Sequence, residues 1–220
     1  VAEGVILPVF EHSDFFVFDK PEGVNFHSED GAGFFVQLMQ QYPAETLFPV
    51  HRLDKITSGL LLAARNKPAA QQFGAMFAAH AVQKTYLALA DHKPAKKQGS
   101  VIGDMQRSRD GCWKLTRTRE NPAITRFTSH LLTNDLRLFI LKPQTGKTHQ
   151  LRVMMKSQAC PILGDERYGG TAADRGHLHA AALQFEWNNE AIQLALAPQS
   201  GQHFLAQAEA INSVYTCLRG

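Results

Sequence analysis

The chain has 220 residues, 44% hydrophobic and 20% charged, with a formal net charge of +3 and a pI near 8.8. This composition suits a globular protein with a sizeable core, and no apolar run approaches the roughly 18 residues of a membrane span. Three scattered cysteines, Cys112, Cys160 and Cys217, exclude a disulfide framework and a Cys-x-x-Cys metal knuckle, and of the three Cys217 is expected to be the most exposed.

The N-terminal Val1-Ala2-Glu3-Gly4 lacks a basic stretch followed by a long apolar one, so no secretory signal is read and a cytoplasmic location is expected. Asp14–Asp19 reads as a strand of aromatic and β-branched residues, ended by Pro21 and Gly23. Gly31–Tyr42 reads as a helix with Phe34, Phe35, Leu38 and Met39 on one stripe, stopped by Pro43. Leu47–Val50 is a short strand that delivers His51-Arg52-Leu53-Asp54-Lys55-Ile56-Thr57-Ser58-Gly59-Leu60-Leu61-Leu62. That stretch changes character midway: the leucines must be buried, whereas the polar residues before them are costly to bury without partners. Arg52 and Asp54, two apart, project to one face of an extended segment. A guanidinium and a carboxylate at a core edge fit either a chemical site or a local ion pair at a strand end.

Pro68 opens a helix that runs to about His80, and Val82–Ala90 alternates as a strand around Tyr86. Lys93–Ser100 and most of Asp104–Pro122 read as polar loop. Ala123–Leu132 and Leu136–Leu141 read as a hairpin across Thr133-Asn134-Asp135. Gly146 to about Gln158 reads as a helix that places His149, Arg152 and Lys156 on one face. A helix start at Gly146 would offer free N–H groups to an anion. Leu178–Trp187 and Ala191–Leu196 form another strand pair, and Gln202–Ile211 a last amphipathic helix. Strands outnumber helices and short turns join them, which predicts an α+β fold: a mixed, largely antiparallel central sheet with flanking helices. No repeat or composition break divides the chain, so a single domain over 1–220 is expected, as a monomer without an obligatory protein partner.

Between Lys84 and Arg126 ten basic residues face four acidic ones, with Trp113 among them, a pattern that follows a phosphate backbone. Gly146-Lys147-Thr148 is not a P-loop, because Leu141 stands where that motif needs glycine. His177 and His179 have a spacing that can bind metal, but no third ligand matches and a core strand is the better reading; no metal site is expected.

The stretch from His51 to Leu62 resembles the signature of the RluA-type pseudouridine synthases. So do Lys84-Thr85-Tyr86-Leu87-Ala88-Leu89, Thr145-Gly146-Lys147-Thr148-His149-Gln150-Leu151-Arg152, Pro161–Gly169, and the early Lys20-Pro21-Glu22-Gly23 turn. The resemblance implies that fold, with a long cleft, and isomerisation of uridine in ribosomal or transfer RNA to pseudouridine without a cofactor. It implies Asp54 as the catalytic carboxylate, Arg152 as its ion-pair partner and Tyr86 against the target base. Arg52 would fill the gap left by the extruded uridine, and His51, Lys147, His149 and Leu151 would complete the substrate site. The family usually has arginine at Lys147; lysine keeps the charge but loses the bidentate fork. Some members carry a small RNA-binding domain ahead of the strand at Asp14, for which thirteen residues are too few, so a stand-alone catalytic domain is expected. Two competing classes are an inactive RNA-binding relative, disfavoured by intact Asp54, Tyr86 and Arg152, and a metal-dependent hydrolase built on the histidines.

Overall fold

The leucine run becomes β4 (Thr57–Ala64), buried at every position, because it lies inside a sheet covered on both faces. A computed structural model describes residues 5–28, 31–133 and 135–217. Among them, ten strands form one sheet: β1 (Pro8–Glu11), β2 (Phe15–Lys20), β3 (Phe48–Pro49), β4, β5 (Gln83–Ala90), β6 (Gln98–Gly103), β9 (Ala123–Leu131), β10 (Arg137–Pro143), β11 (Leu178–Trp187) and β12 (Glu190–Ala195). The spatial order is β1-β2-β4-β11-β5-β10-β9-β6, with β3 on β4 and β12 on β11. β4 and β11 run parallel and the other described pairings are antiparallel. A separate hairpin joins β7 (Met105–Arg107) to β8 (Trp113–Leu115).

Alternation along the strands sorts side chains to two faces. Phe15, Val17, Leu60 and Leu62 pack with Phe73 of α2 (Lys67–Ala78). Phe16, Phe18 and Leu61 pack with Phe34 and Leu38 of α1 (Phe34–Gln41). Farther along the sheet, Leu87, Leu89, Leu138 and Ile140 meet α4 (Gln202–Ala206) and α5 (Ala208–Cys217) through Phe204 and Ile211. On the other face Phe139 and Leu141 meet Leu151 and Met154 of α3 (Gln150–Ser157). Gly59 sits at φ 109, and a Cβ there would come within 2.3 Å of the Ala180 carbonyl oxygen, so only glycine lets β11 approach β4 this closely.

The α+β fold class and the mixed, largely antiparallel sheet are as expected. Four local expectations are not met. β6, whose first residues read as polar loop, is an edge strand set by pairing to β9, and β1, where no element is expected, is the edge strand paired to β2. The supposed loop from Asp104 contains the β7–β8 hairpin. The final helix is two, separated at Gln207. The helix expected from Gly146 begins at Gln150, after a turn in which the Gln150 side chain accepts from both the Thr145 hydroxyl and the Lys147 N–H. Gly146 therefore presents no helix N-terminus to an anion. The turn residue Asn134, the chain end from Leu218 and the Cys217 side chain lie outside the described residues.

Candidate active site

A turn carries Asp54. Its own carbonyl accepts the Thr57 N–H at 3.0 Å, and the next three carbonyls each find a donor from elsewhere in the chain. The Gly23 N–H donates to the Lys55 carbonyl at 2.8 Å, an Arg175 NH2 group to that of Ile56 at 3.4 Å, and the Lys20 ammonium to that of Thr57 at 2.9 Å. Backbone polar groups at a buried turn must be paired, and here the pairing also clamps the turn. The Lys20–Gly23 segment thus supports the turn beneath Asp54. Lys20 is fully buried, and burial pushes its ammonium down to about 8, partly opposed by Asp54. Leu53 points into the core beside Phe16 and Leu61, which turns its neighbours Arg52 and Asp54 outward.

Both line a cleft of about 730 Å³, with His51, Lys84, Tyr86, Lys147, Thr148, His149 and Leu151 also in its walls. All the expected site residues but Arg152 are in this lining, and Arg152 stands immediately behind it. Its NH1 group is 3.8 Å from an Asp54 carboxylate oxygen. Its main partner is another: Nε and NH2 both donate to Asp165 at 2.7 Å, a bidentate pair in which the two side chains are only 6% and 1% exposed. The pairing expected between Arg152 and Asp54 is present as the longer of two contacts.

The other groups divide by what they hold. Arg52 is exposed and donates to the Thr148 hydroxyl at 3.1 Å, bridging the mouth of the cleft. The Lys147 ammonium donates to the Asn121 side chain at 2.7 Å. His51 turns Nε2 inward, where it accepts the Leu62 N–H at 2.9 Å, and its ring packs on Phe77. Leu151 is 8% exposed and belongs to the α3 core cluster as well as to the cleft wall. Burial, followed by the nearby Asp54 charge, raises the Tyr86 phenol and keeps it protonated. Lys96 and Lys97 precede β6 at its end away from Ile124, so these two members of the basic stretch are remote from the cleft. His179 bridges the Ser58 hydroxyl and the Leu196 carbonyl, and among the described residues no cluster of three metal-ligating side chains is found.

Burial sets the protonation of the two cleft histidines, His51 and His149, and of His177 and His179 away from the cleft. It pushes His51 down to about 3, with Lys84 assisting, and His179 down to about 4, from an ordinary 6.5; His149 and His177 shift the same way. The unfolded chain takes up a proton at each near 6.5, while in the folded chain each stays neutral to lower pH, His51 and His179 by the widest margin. These groups therefore favour folding fully above 6.5, and that contribution is lost as pH falls toward 3. Melting temperature should drop between pH 7.5 and pH 5, before most carboxylates titrate. An unchanged melting temperature over that window would contradict the buried neutral histidines.

Sequence reading missed roles for Lys20, Asp165, Tyr168 and Arg175. Lys20, Asp165 and Tyr168 lie in recognisable stretches, but nothing in a string of letters shows that Asp165 meets Arg152 or that Lys20 props the Asp54 turn. Arg175 carried no signal at all.

The RNA pseudouridylate synthase family model matches residues 14–157. An uncharacterized RNA pseudouridine synthase of Haemophilus influenzae is 49% identical over 200 residues, covering 90% of this chain and 89% of that protein. The ribosomal large subunit pseudouridine synthase C of Yersinia pestis is 31% identical, over 96% of this chain and 67% of its own. Among solved structures, human RNA pseudouridylate synthase domain containing 4 superposes with a TM-score of 0.73 at 26% identity, covering 93% of this chain and 92% of that one. The chain belongs to the RNA pseudouridine synthase family, in its RluA-type branch.

Proposed function

We propose that this cleft isomerises specific uridines in ribosomal or transfer RNA, with Asp54 as the group that acts on the nucleotide. The observation that carries the reading is the placement of Asp54: partly exposed in the cleft and backed by Arg152, on a turn clamped by three donors from two segments distant in sequence. In the reaction the N1–C1′ bond breaks, the uracil rotates, and C5 joins C1′ while its proton leaves. Asp54 adds to C1′, adds to C6, or removes the C2′ proton. Arg152, fixed by Asp165, offers its remaining edge to the carboxylate.

Tyr86 packs on the uracil. Its phenol is held protonated by burial and by Asp54, so we assign it packing and not removal of the C5 proton. Lys147, with Lys84, meets the RNA backbone, where phosphate contacts position without specifying sequence. His51 supports the wall of the site through the Leu62 N–H. The relatives named for the ribosomal large subunit favour ribosomal RNA as substrate. Among the described residues no helix is long and apolar enough to cross a membrane, and we place the enzyme in the cytoplasm, where its RNA is.

The base must leave its stack to bring its sugar to Asp54, and Arg52 at the mouth fills the space vacated. Arg52→Ala should therefore lose more activity, roughly five- to 150-fold from about a 1–3 kcal/mol stacking loss, on structured RNA than on an unstructured oligomer of the same sequence. Equal losses on the two substrates would remove that role. Mapping pseudouridine across cellular RNA with and without the gene tests the substrate: one or a few sites should vanish from ribosomal or transfer RNA, and an unchanged map would refute the reading.

A further inference from the structure

Tyr168 is 1% exposed and stands at the end of a short 3-10 turn, Glu166–Tyr168, that Asp165 precedes. Its ring faces the three residues that share one side of the segment entering and forming α3. His149 meets it edge-on at 5.6 Å, the Arg152 guanidinium carbon lies 4.8 Å from its centroid, and the Lys156 ammonium 5.9 Å. The same turn thus gives Arg152 both a carboxylate and an aromatic face. The hydroxyl makes two contacts. It accepts the Trp113 N–H from β8 at 3.0 Å, and it lies 2.8 Å from Nδ1 of His149.

The direction of that second hydrogen bond follows from counting protons. A backbone N–H can only donate, so the Trp113 contact uses the phenol oxygen as acceptor. The buried phenol proton then needs an acceptor, and Nδ1 of His149 is the one its hydroxyl reaches. With Nδ1 accepting, the neutral ring carries its proton on Nε2. His149 itself is held in a left-handed backbone conformation, φ 55 and ψ 20, immediately before α3, a placement a non-glycine residue keeps only when its surroundings enforce it. Asp54, Asp165, Arg152 and Arg167 are the charged groups around the ring; the two carboxylates favour its protonation, while burial and the two arginines oppose it.

We propose that Tyr168 is a positioning residue of this cleft: its hydroxyl locks His149 as the Nε2–H tautomer and its ring backs Arg152, so that both present donors to the bound nucleotide. His149 then serves as a hydrogen-bond donor to a nucleotide oxygen and not as a base. The Trp113 N–H of the basic hairpin is what commits the phenol proton to His149. The inference rests on the reading of the cleft as a uridine-isomerising site, but its physical core does not need activity to be tested.

The test is nitrogen NMR of the imidazoles in the full chain labelled with 15N-histidine at neutral pH, with His149 assigned by a His149→Gln variant. In the wild type His149 should show a protonated Nε2 and an unprotonated, hydrogen-bonded Nδ1. In Tyr168→Phe, which keeps the ring against Arg152, the spectrum should move to a mixture of tautomers. A purely structural tyrosine would leave the tautomer unchanged. In the activity assay the same variant should lose kcat, by up to about a hundredfold, the scale of a misplaced neighbour, with KM nearly constant. Overturning results are a wild-type His149 protonated on Nδ1, or a Tyr168→Phe protein with the wild-type tautomer. The wild-type spectrum decides alone if the variant does not fold. Absence of isomerase activity in a wild type showing the Nε2–H tautomer would strike the proposed function and leave the positioning contact standing.

Discussion

Asp165→Ala is expected to lower the melting temperature by about 10 °C, from a loss of about 3–5 kcal/mol for breaking a buried ion pair at roughly 2–4 °C per kcal/mol in a chain of this size. The loss comes less from the missing attraction than from what is left behind. Arg152 has a side chain only 6% exposed, and two of its nitrogens would lose a carboxylate at 2.7 Å, with Asp54 at 3.8 Å as the remaining acidic partner. Asp165→Asn keeps the shape and one acceptor oxygen, and should fall between wild type and alanine. Calorimetric melts of the three proteins check this. A shift of under about 2 °C in the alanine variant, near the size of an ordinary surface change, would mean that Arg152 does not depend on Asp165.

Asp54→Asn is expected to abolish isomerisation, by at least about a thousandfold, while leaving fold and RNA affinity intact. The side chain is 23% exposed and its backbone carries the turn; the carboxylate is the longer, weaker partner of Arg152, whose bidentate pair to Asp165 persists in the variant. Removing one negative charge from a surface that meets phosphate should hold or slightly tighten binding. Melting curves, filter binding and nucleoside analysis of the product separate the three quantities. Loss of RNA binding or of folded protein alongside activity would move Asp54 from chemistry to structure.

The two predictions differ in how far the sequence foretold them. The core-edge placement of Asp54 was legible because a polar stretch abuts Leu60–Leu62, and a chain can bury that run and keep the carboxylate only at a core edge; its role in the chemistry came from the family resemblance and not from the pattern. The α+β class was legible for a similar reason: Phe15–Phe18 and Leu60–Ala63 are buried on both sheet faces, and such runs leave little choice of element. Asp165 as the holder of Arg152 was not legible, since its partner lies 13 residues away across Pro161 and Gly164 and pairing is a tertiary fact. β6 and the β7–β8 hairpin escaped because their order comes from hydrogen bonds to a neighbouring strand, while each is short and only partly buried, leaving too few apolar positions to read. The start of α3 was misplaced by four residues because the Gln150 side chain closes the preceding turn, a local hydrogen-bond choice that apolar spacing does not report.

The central claim is that this cleft rearranges uridine through Asp54, and tritium release from RNA labelled at C5 of uridine tests it most directly. Exchange at C5 must accompany every turnover, because the carbon that carried the tritium becomes the carbon bonded to C1′. Wild-type protein given ribosomal and transfer RNA lacking the modification should release tritium in proportion to the pseudouridine formed, and a folded Asp54→Asn protein at the same concentration should release none above background. Substantial release by the Asp54→Asn protein, or none by the wild type on either RNA, would contradict the account.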